Sequence, residues 1–159
     1  MAKRNGGYTL MELLVTMAII AILATISMPS FLGMFAKNQI SEALPLAEIA
    51  KKPVASVWAI TKSFPVDNAG AGLPAADKIV NNLISSIAVE DGAIHITFGN
   101  SANQILKGKI LTLRPAIVED APVVPITWVC GLALAPGNMT AKGNNKTDIP
   151  AGYLPAKCR

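Results

Sequence analysis

Between Tyr8 and Ala36 the chain is apolar or small at nearly every position, and from Leu13 to Ala36 it carries no charge. As a helix rising about 1.5 Å per residue, the uncharged stretch reaches roughly 36 Å, more than the about 30 Å of a bilayer's hydrocarbon core. Beyond it the pattern changes. Ile40, Ala43, Leu44, Ala47, Ala50, Val54, Val57 and Trp58 recur at three- and four-residue intervals, with Lys37, Glu42, Glu48, Lys51 and Lys52 off the stripe. That spacing predicts an amphipathic continuation of the same helix, packed on a core. Prolines at 29, 45 and 53 interrupt the pattern and predict kinks, because an interior proline loses a hydrogen bond and clashes with the preceding turn.

From Thr61 to Pro74 the chain is rich in Pro, Gly, Asp and Asn, the composition of a connecting loop. The stretch "ISSIAVEDGAIHITFG" then sets two β-rich runs around Asp91-Gly92, a strong hairpin signal. "GKILTLRP" supplies a third strand and "PITWVCGLA" a fourth. The fold class expected is α+β. A long N-terminal helix, membrane-spanning in its front half and amphipathic in its back half, packs on an antiparallel sheet of about four strands. His95, the one histidine, falls between Ile94 and Ile96 and is expected opposite to them, exposed or interstrand. Trp128, two residues before Cys130, is expected as a core aromatic.

Length and composition narrow the function classes. The 159 residues suffice for one domain with an appendage, and much of the 52% hydrophobic content sits in the N-terminal block. The formal charge of +4 is spread over 14 Lys and Arg with no run longer than a pair, so a nucleic-acid partner is not implied. No nucleophile–base pair, paired carboxylates or metal-ligand cluster stands out, and the reading is therefore of a non-enzyme without cofactor or metal. Cys130 and Cys158 lie in the final third without a CxxC pattern. If the head is exported, one disulfide is the natural reading.

Lys3 and Arg4 precede the apolar block, which keeps the first residues cytoplasmic and sends the bulk of the chain outward. An ordinary cleaved secretory signal has a shorter apolar core, of about 7–15 residues, with its small-residue cut behind it. Here Gly6-Gly7 come before the run. The heptad Gly7-Tyr8-Thr9-Leu10-Met11-Glu12-Leu13 resembles the type IV pilin signature, with Tyr8 where the family usually has phenylalanine. Pro29, "NQISEALPLA", "GKILTLRP", "ITWVC" and "IPAGYLPAKCR" extend the resemblance, to major pilins of the short-leader type IVa class.

The resemblance implies a leader over 1–7, cut by a prepilin peptidase after Gly7, and N-methylation of the new terminal Tyr8. It implies a transmembrane and filament-core helix over 8–36, an amphipathic continuation over 37–60 and a globular head over 61–159 with a disulfide-bonded loop. Its neighbours are identical subunits, the assembly machinery and, before assembly, the inner membrane; its final location is the extracellular pilus. Adhesion, twitching motility and DNA uptake are the associated activities. A pseudopilin of a secretion system and a DNA-binding minor pilin are the competing readings. The basic loop residues Lys142, Lys146, Lys157 and Arg159 make DNA or host-surface polymers candidate ligands.

Glu12 is the awkward residue. A carboxylate in a membrane helix costs about 2.5–3.5 kcal/mol on insertion scales, and its neighbours Tyr8, Thr9, Val15 and Thr16 offer no cation. Either it lies near enough to the interface to reach headgroups, or it meets the amine that cleavage creates on a neighbouring subunit's Tyr8. By the resemblance, Glu12 and Pro29 are assembly residues. "NMT" at Asn138 and "NKT" at Asn145 match the N-glycosylation pattern.

Overall fold

Helix α1, Leu10–Ala43, opens the fold in this computed structural model, which describes residues 7–159 except the side chains of residues 27–30 and 32. The chain divides into two compact units, Met1–Met34 and Phe35–Arg159. In the first, Leu10, Met11, Leu13, Leu14, Met17 and Ile20 are all exposed. An apolar helix without a polar face is stable only when something else covers it.

Among the described residues, no helix is long and apolar enough to cross a membrane. The side chains described without interruption run from Leu10 to Ile26, about 25 Å of helix against a core of about 30 Å. The span expected over 8–36 includes side chains outside the described residues. The backbone at Pro29 is helical, without a break in α1.

In the second unit the apolar stripe closes onto a sheet. Ala36, Ile40, Ala43, Ala47, Ala50 and Val54 are fully buried. Most are alanines, so the helical backbone lies close to the strands and the larger side chains come from the sheet. The helix is not continuous. Pro45 sits at the start of a 3-10 turn, Leu44–Ala47, and α2 follows as Glu48–Thr61. Pro53 was expected to kink it, yet stays within α2. The packing of Ala50 and Val54 around it outweighs a local cost of about 3 kcal/mol.

The strands are β1 Ile84–Glu90, β2 Ala93–Phe98, β3 Ile110–Ile117, β4 Thr127–Cys130 and the short β5 Thr140–Ala141. The first four form an antiparallel meander in the order β1-β2-β3-β4, and β5 pairs with the end of β3. Asp91 and Gly92 have φ of 49° and 81°, the pair of positive values a two-residue hairpin turn requires. Ile84, Ile87 and Val89 all face the core, although Ile84 and Ile87 differ in parity. A bulge between Ile84 and Ser86 absorbs the extra residue, which returns the pleat to register. Ile94, Ile96 and Phe98 of β2 and Leu111 and Leu113 of β3 complete the core face. Trp128 packs half-buried against it.

The other face is also covered. Segment 142–148 crosses it: the Lys142 amide donates to the Pro115 carbonyl, and the Asp148 amide donates to the Ile110 carbonyl. Gly143 packs against Ala93 so closely that a Cβ there would lie 2.7 Å from the Ala93 Cβ. His95 is consequently interstrand and buried, paired across the ladder with Ala88 and Thr112.

Candidate functional site

Helix α1 starts where it does because Thr9 caps it. The Thr9 hydroxyl accepts the Glu12 amide at 3.2 Å, and the Thr9 carbonyl accepts the Leu13 amide at 3.2 Å. The first satisfies a donor that a helix start leaves unpaired, and the second is the first regular bond of the helix. Glu12 thus falls in the first turn, where the positive end of the helix dipole favours a carboxylate. Sequence reading passes over Thr9, although Thr-x-x-Glu before an apolar run is a helix-start signature.

Gly7 and Tyr8 lie just before the helix, and the Tyr8 side chain is 81% exposed. The rest of the leader, 1–6, lies outside the described residues. Farther along, the Thr16 hydroxyl donates to the Leu13 carbonyl at 2.8 Å and that of Thr25 to the Ile22 carbonyl at 2.7 Å. These hydroxyls are turned back onto their own helix. The exposed carboxylate of Glu12 has no ion pair among the described residues, and it stands among Leu10, Met11, Leu13 and Leu14. What the arrangement offers chemically is one anion in an apolar surface, one turn from a chain terminus that cleavage at Gly7 would create.

The second unit carries the remaining candidates. Cys130 and Cys158 form a disulfide, with Cα atoms 4.5 Å apart across a separation of 28 residues. Gly131, at φ +60°, lets the chain turn directly after it, and an added Cβ would lie 2.6 Å from the Cys158 carbonyl oxygen. Two of the loop lysines are not free: Lys142 pairs with Glu119 at 2.5 Å, and Lys146 pairs with Glu90. Each lysine's hydrogen bond is the main cause holding its carboxylate below the usual range. The basic character expected of the loop is thereby reduced, and Lys157 and Arg159 remain exposed. Asn145 is also engaged, since its Nδ2 donates to the Gly131 carbonyl at 2.8 Å. Among the described residues, no group of three His, Cys, Asp or Glu could hold a metal ion.

Comparison with known proteins agrees with both units. Residues 36–159 match the Pilin family, described as a bacterial filament protein, and residues 2–28 match the prokaryotic N-terminal methylation motif. The chain is 32% identical over 160 residues to the type IV major pilin protein PilE1 of Neisseria gonorrhoeae, covering 96% of this chain and 86% of that one. It is 32% identical to a fimbrial protein of Neisseria meningitidis serogroup A, covering 96% and 93%. To the fimbrial protein EcpC of Eikenella corrodens it is 33% identical, covering 96% and 90%. The chain, with its methylation motif, capped apolar helix and disulfide-closed head, belongs to the bacterial pilin family.

Proposed function

We propose that this chain is the repeating structural subunit of a type IV pilus, made as a precursor, anchored in the inner membrane and then packed into an extracellular filament. One observation carries the reading most: α1 exposes apolar side chains on all sides from Leu10 to Ile26, and among them stands Glu12, without an ion pair among the described residues. Lipid covers such a surface while the subunit waits, and other copies of the same helix cover it afterwards with little net hydrophobic change.

A prepilin peptidase removes residues 1–7 by cutting after Gly7, and the amine of Tyr8 is then methylated. The cut removes Lys3 and Arg4, two of the 14 basic side chains, and loosens the hold of the cytoplasmic face on the helix. The new amine is the cation that Glu12 lacks. A buried pair of this kind fixes register more than it adds stability, because desolvation cancels much of the attraction. Unwinding over 21–29, next to Pro29, lets the filament stretch once neighbouring helices cover the freed carbonyls. The work of the subunit is mechanical: adhesion, twitching motility and DNA uptake through the fibre, with DNA or host polymers meeting the exposed head.

Electron micrographs of cells carrying Glu12→Ala test this. The variant is expected to be processed and membrane-inserted yet to leave cells nearly bald, as deletion of the gene should. Normal piliation in either strain would overturn the reading.

A further inference from the structure

The strap formed by segment 142–148 is held on the sheet at several points, among them the Thr112 amide on Thr147 Oγ1 and the Ile110 amide on Asp148 Oδ1, and the contacts of Lys146 meet at one buried imidazole. The Lys146 amide donates to Thr112 Oγ1 at 3.0 Å, and Asn145 is tied to Gly131 at the strap's other side. Beneath it lies His95, 4% exposed, with Nδ1 3.0 Å from the same Thr112 Oγ1. Its Nε2 is buried without a hydrogen-bond partner among the described residues and faces Glu90 Oε2 at 3.9 Å. The Lys146 ammonium is hydrogen-bonded to that same Oε2. A single carboxylate oxygen therefore stands between a lysine of the strap and a histidine of the sheet.

The other charges nearby do not alter this geometry. On β3, Arg114 lies two residues from Thr112 on the same face and is partly covered. At the hairpin, Asp91 is exposed. Within the strap, Lys142 is paired with Glu119 and Asp148 with Lys109.

We propose that segment 142–148 is an acid-released latch, in which protonation of His95 sets its imidazolium against the Lys146 ammonium for Glu90 Oε2 and frees the strap from the sheet. At neutral pH the site holds one cation and one anion. Protonation adds a second cation in a covered place. His95 is fixed within a central strand, whereas Lys146 rides on irregular chain and a flexible stem, so the lysine yields. An imidazolium donates from both nitrogens, so Nδ1 then donates to Thr112 Oγ1, the oxygen that also accepts the Lys146 amide.

The direction of the linkage agrees. Burial first, and the Lys146 charge second, hold the His95 imidazole below its ordinary value, against the opposing pull of Glu90. The folded strap therefore binds fewer protons than the open one. Its closure is fully favoured above the unperturbed value of about 6.5 and is lost as the pH falls from there through the lower folded value.

Amide hydrogen exchange on the full chain in detergent, at pH 7 and pH 5 with intrinsic rates corrected, tests the latch. Protection of the Lys146 and Asp148 amides should fall at least tenfold at pH 5 while the β2–β3 ladder stays protected. In His95→Gln that difference should vanish, and Glu90→Gln should leave the strap open at both pH values. Equal strap protection at both pH values in the unmodified chain, or an undiminished loss in His95→Gln, would overturn the proposal. A ring titration of His95 by NMR serves if that variant fails to fold. Lys146→Met should raise its midpoint, and an unchanged midpoint would contradict the coupling.

Discussion

Asn68, in the loop after α2, bonds to Val89 as a neighbouring strand would. Its Oδ1 accepts the Val89 amide at 2.6 Å, while its Nδ2 donates to the Ile87 carbonyl at 3.0 Å and the Pro74 carbonyl at 2.9 Å. The turn that follows β1 is tied to the same loop, since the Val66 and Pro65 carbonyls accept the amides of Asp91 and Gly92. One carboxamide thus closes an edge that would otherwise invite pairing with another chain.

Asn68→Ala leaves the buried Val89 amide and Ile87 carbonyl without partners. At about 1–3 kcal/mol for each unsatisfied group, the head should lose roughly 3 kcal/mol in urea unfolding. A loss below about 1 kcal/mol would show that water or another side chain replaces the carboxamide.

The disulfide closes the loop that carries the strap. Loop entropy for its 28-residue separation gives about 3.6 kcal/mol. Cys130→Ser with Cys158→Ser should lower the urea midpoint accordingly and raise exchange across residues 131–157 more than in β1 and β2. Uniform loosening of the whole head would contradict a local role.

Gly131 and Gly137 separate backbone strain from crowding. Both have positive φ, 60° and 57°, but a Cβ at Gly137 meets nothing within 4 Å, whereas at Gly131 it meets the Cys158 carbonyl oxygen. Gly137→Ala should cost about 1 kcal/mol, the left-handed penalty alone. Gly131→Ala should cost clearly more. Equal losses would mean that the chain end at Cys158 moves aside freely.

Glu90 and Glu119 both have carboxyl groups held below their ordinary value, chiefly by lysine hydrogen bonds. A depressed folded value means the fold binds fewer protons, so this stability is present above pH 4.5 and lost as the pH falls through the folded values. Both groups are on the surface, so 1 M salt, with a screening length of about 3 Å, should flatten that acid limb of the melting curve. An unchanged limb would place its cause in other groups.

Much of this fold is legible in the sequence, because it rests on periodicity. Ile40 through Val54 announce a packed helix, Ile94, Ile96 and Phe98 a half-buried strand, and Asp91-Gly92 the turn before them. What stays hidden depends on chain that has no period. Segment 142–148 reads as exposed loop, so nothing marks it as the cover that buries His95. Asn68 looks like any loop asparagine until β1 is beside it. Likewise Lys142 and Lys146 read as free positive charge, because their partners lie 23 and 56 residues away. At the N-terminus the motif points to the proposed cut and to the helix, and the Thr9 cap is readable from its spacing to Glu12.

The central claim is that Glu12 is an assembly residue whose partner is made by cleavage. A filament reconstruction by electron cryomicroscopy at side-chain resolution tests it most directly. The account predicts the Glu12 carboxylate within about 4 Å of the terminal amine on a neighbouring subunit's Tyr8, salt-bridge distance for a close pair, with both covered by apolar side chains. A Glu12 carboxylate that faces solvent, or reaches only the start of its own helix, would contradict it.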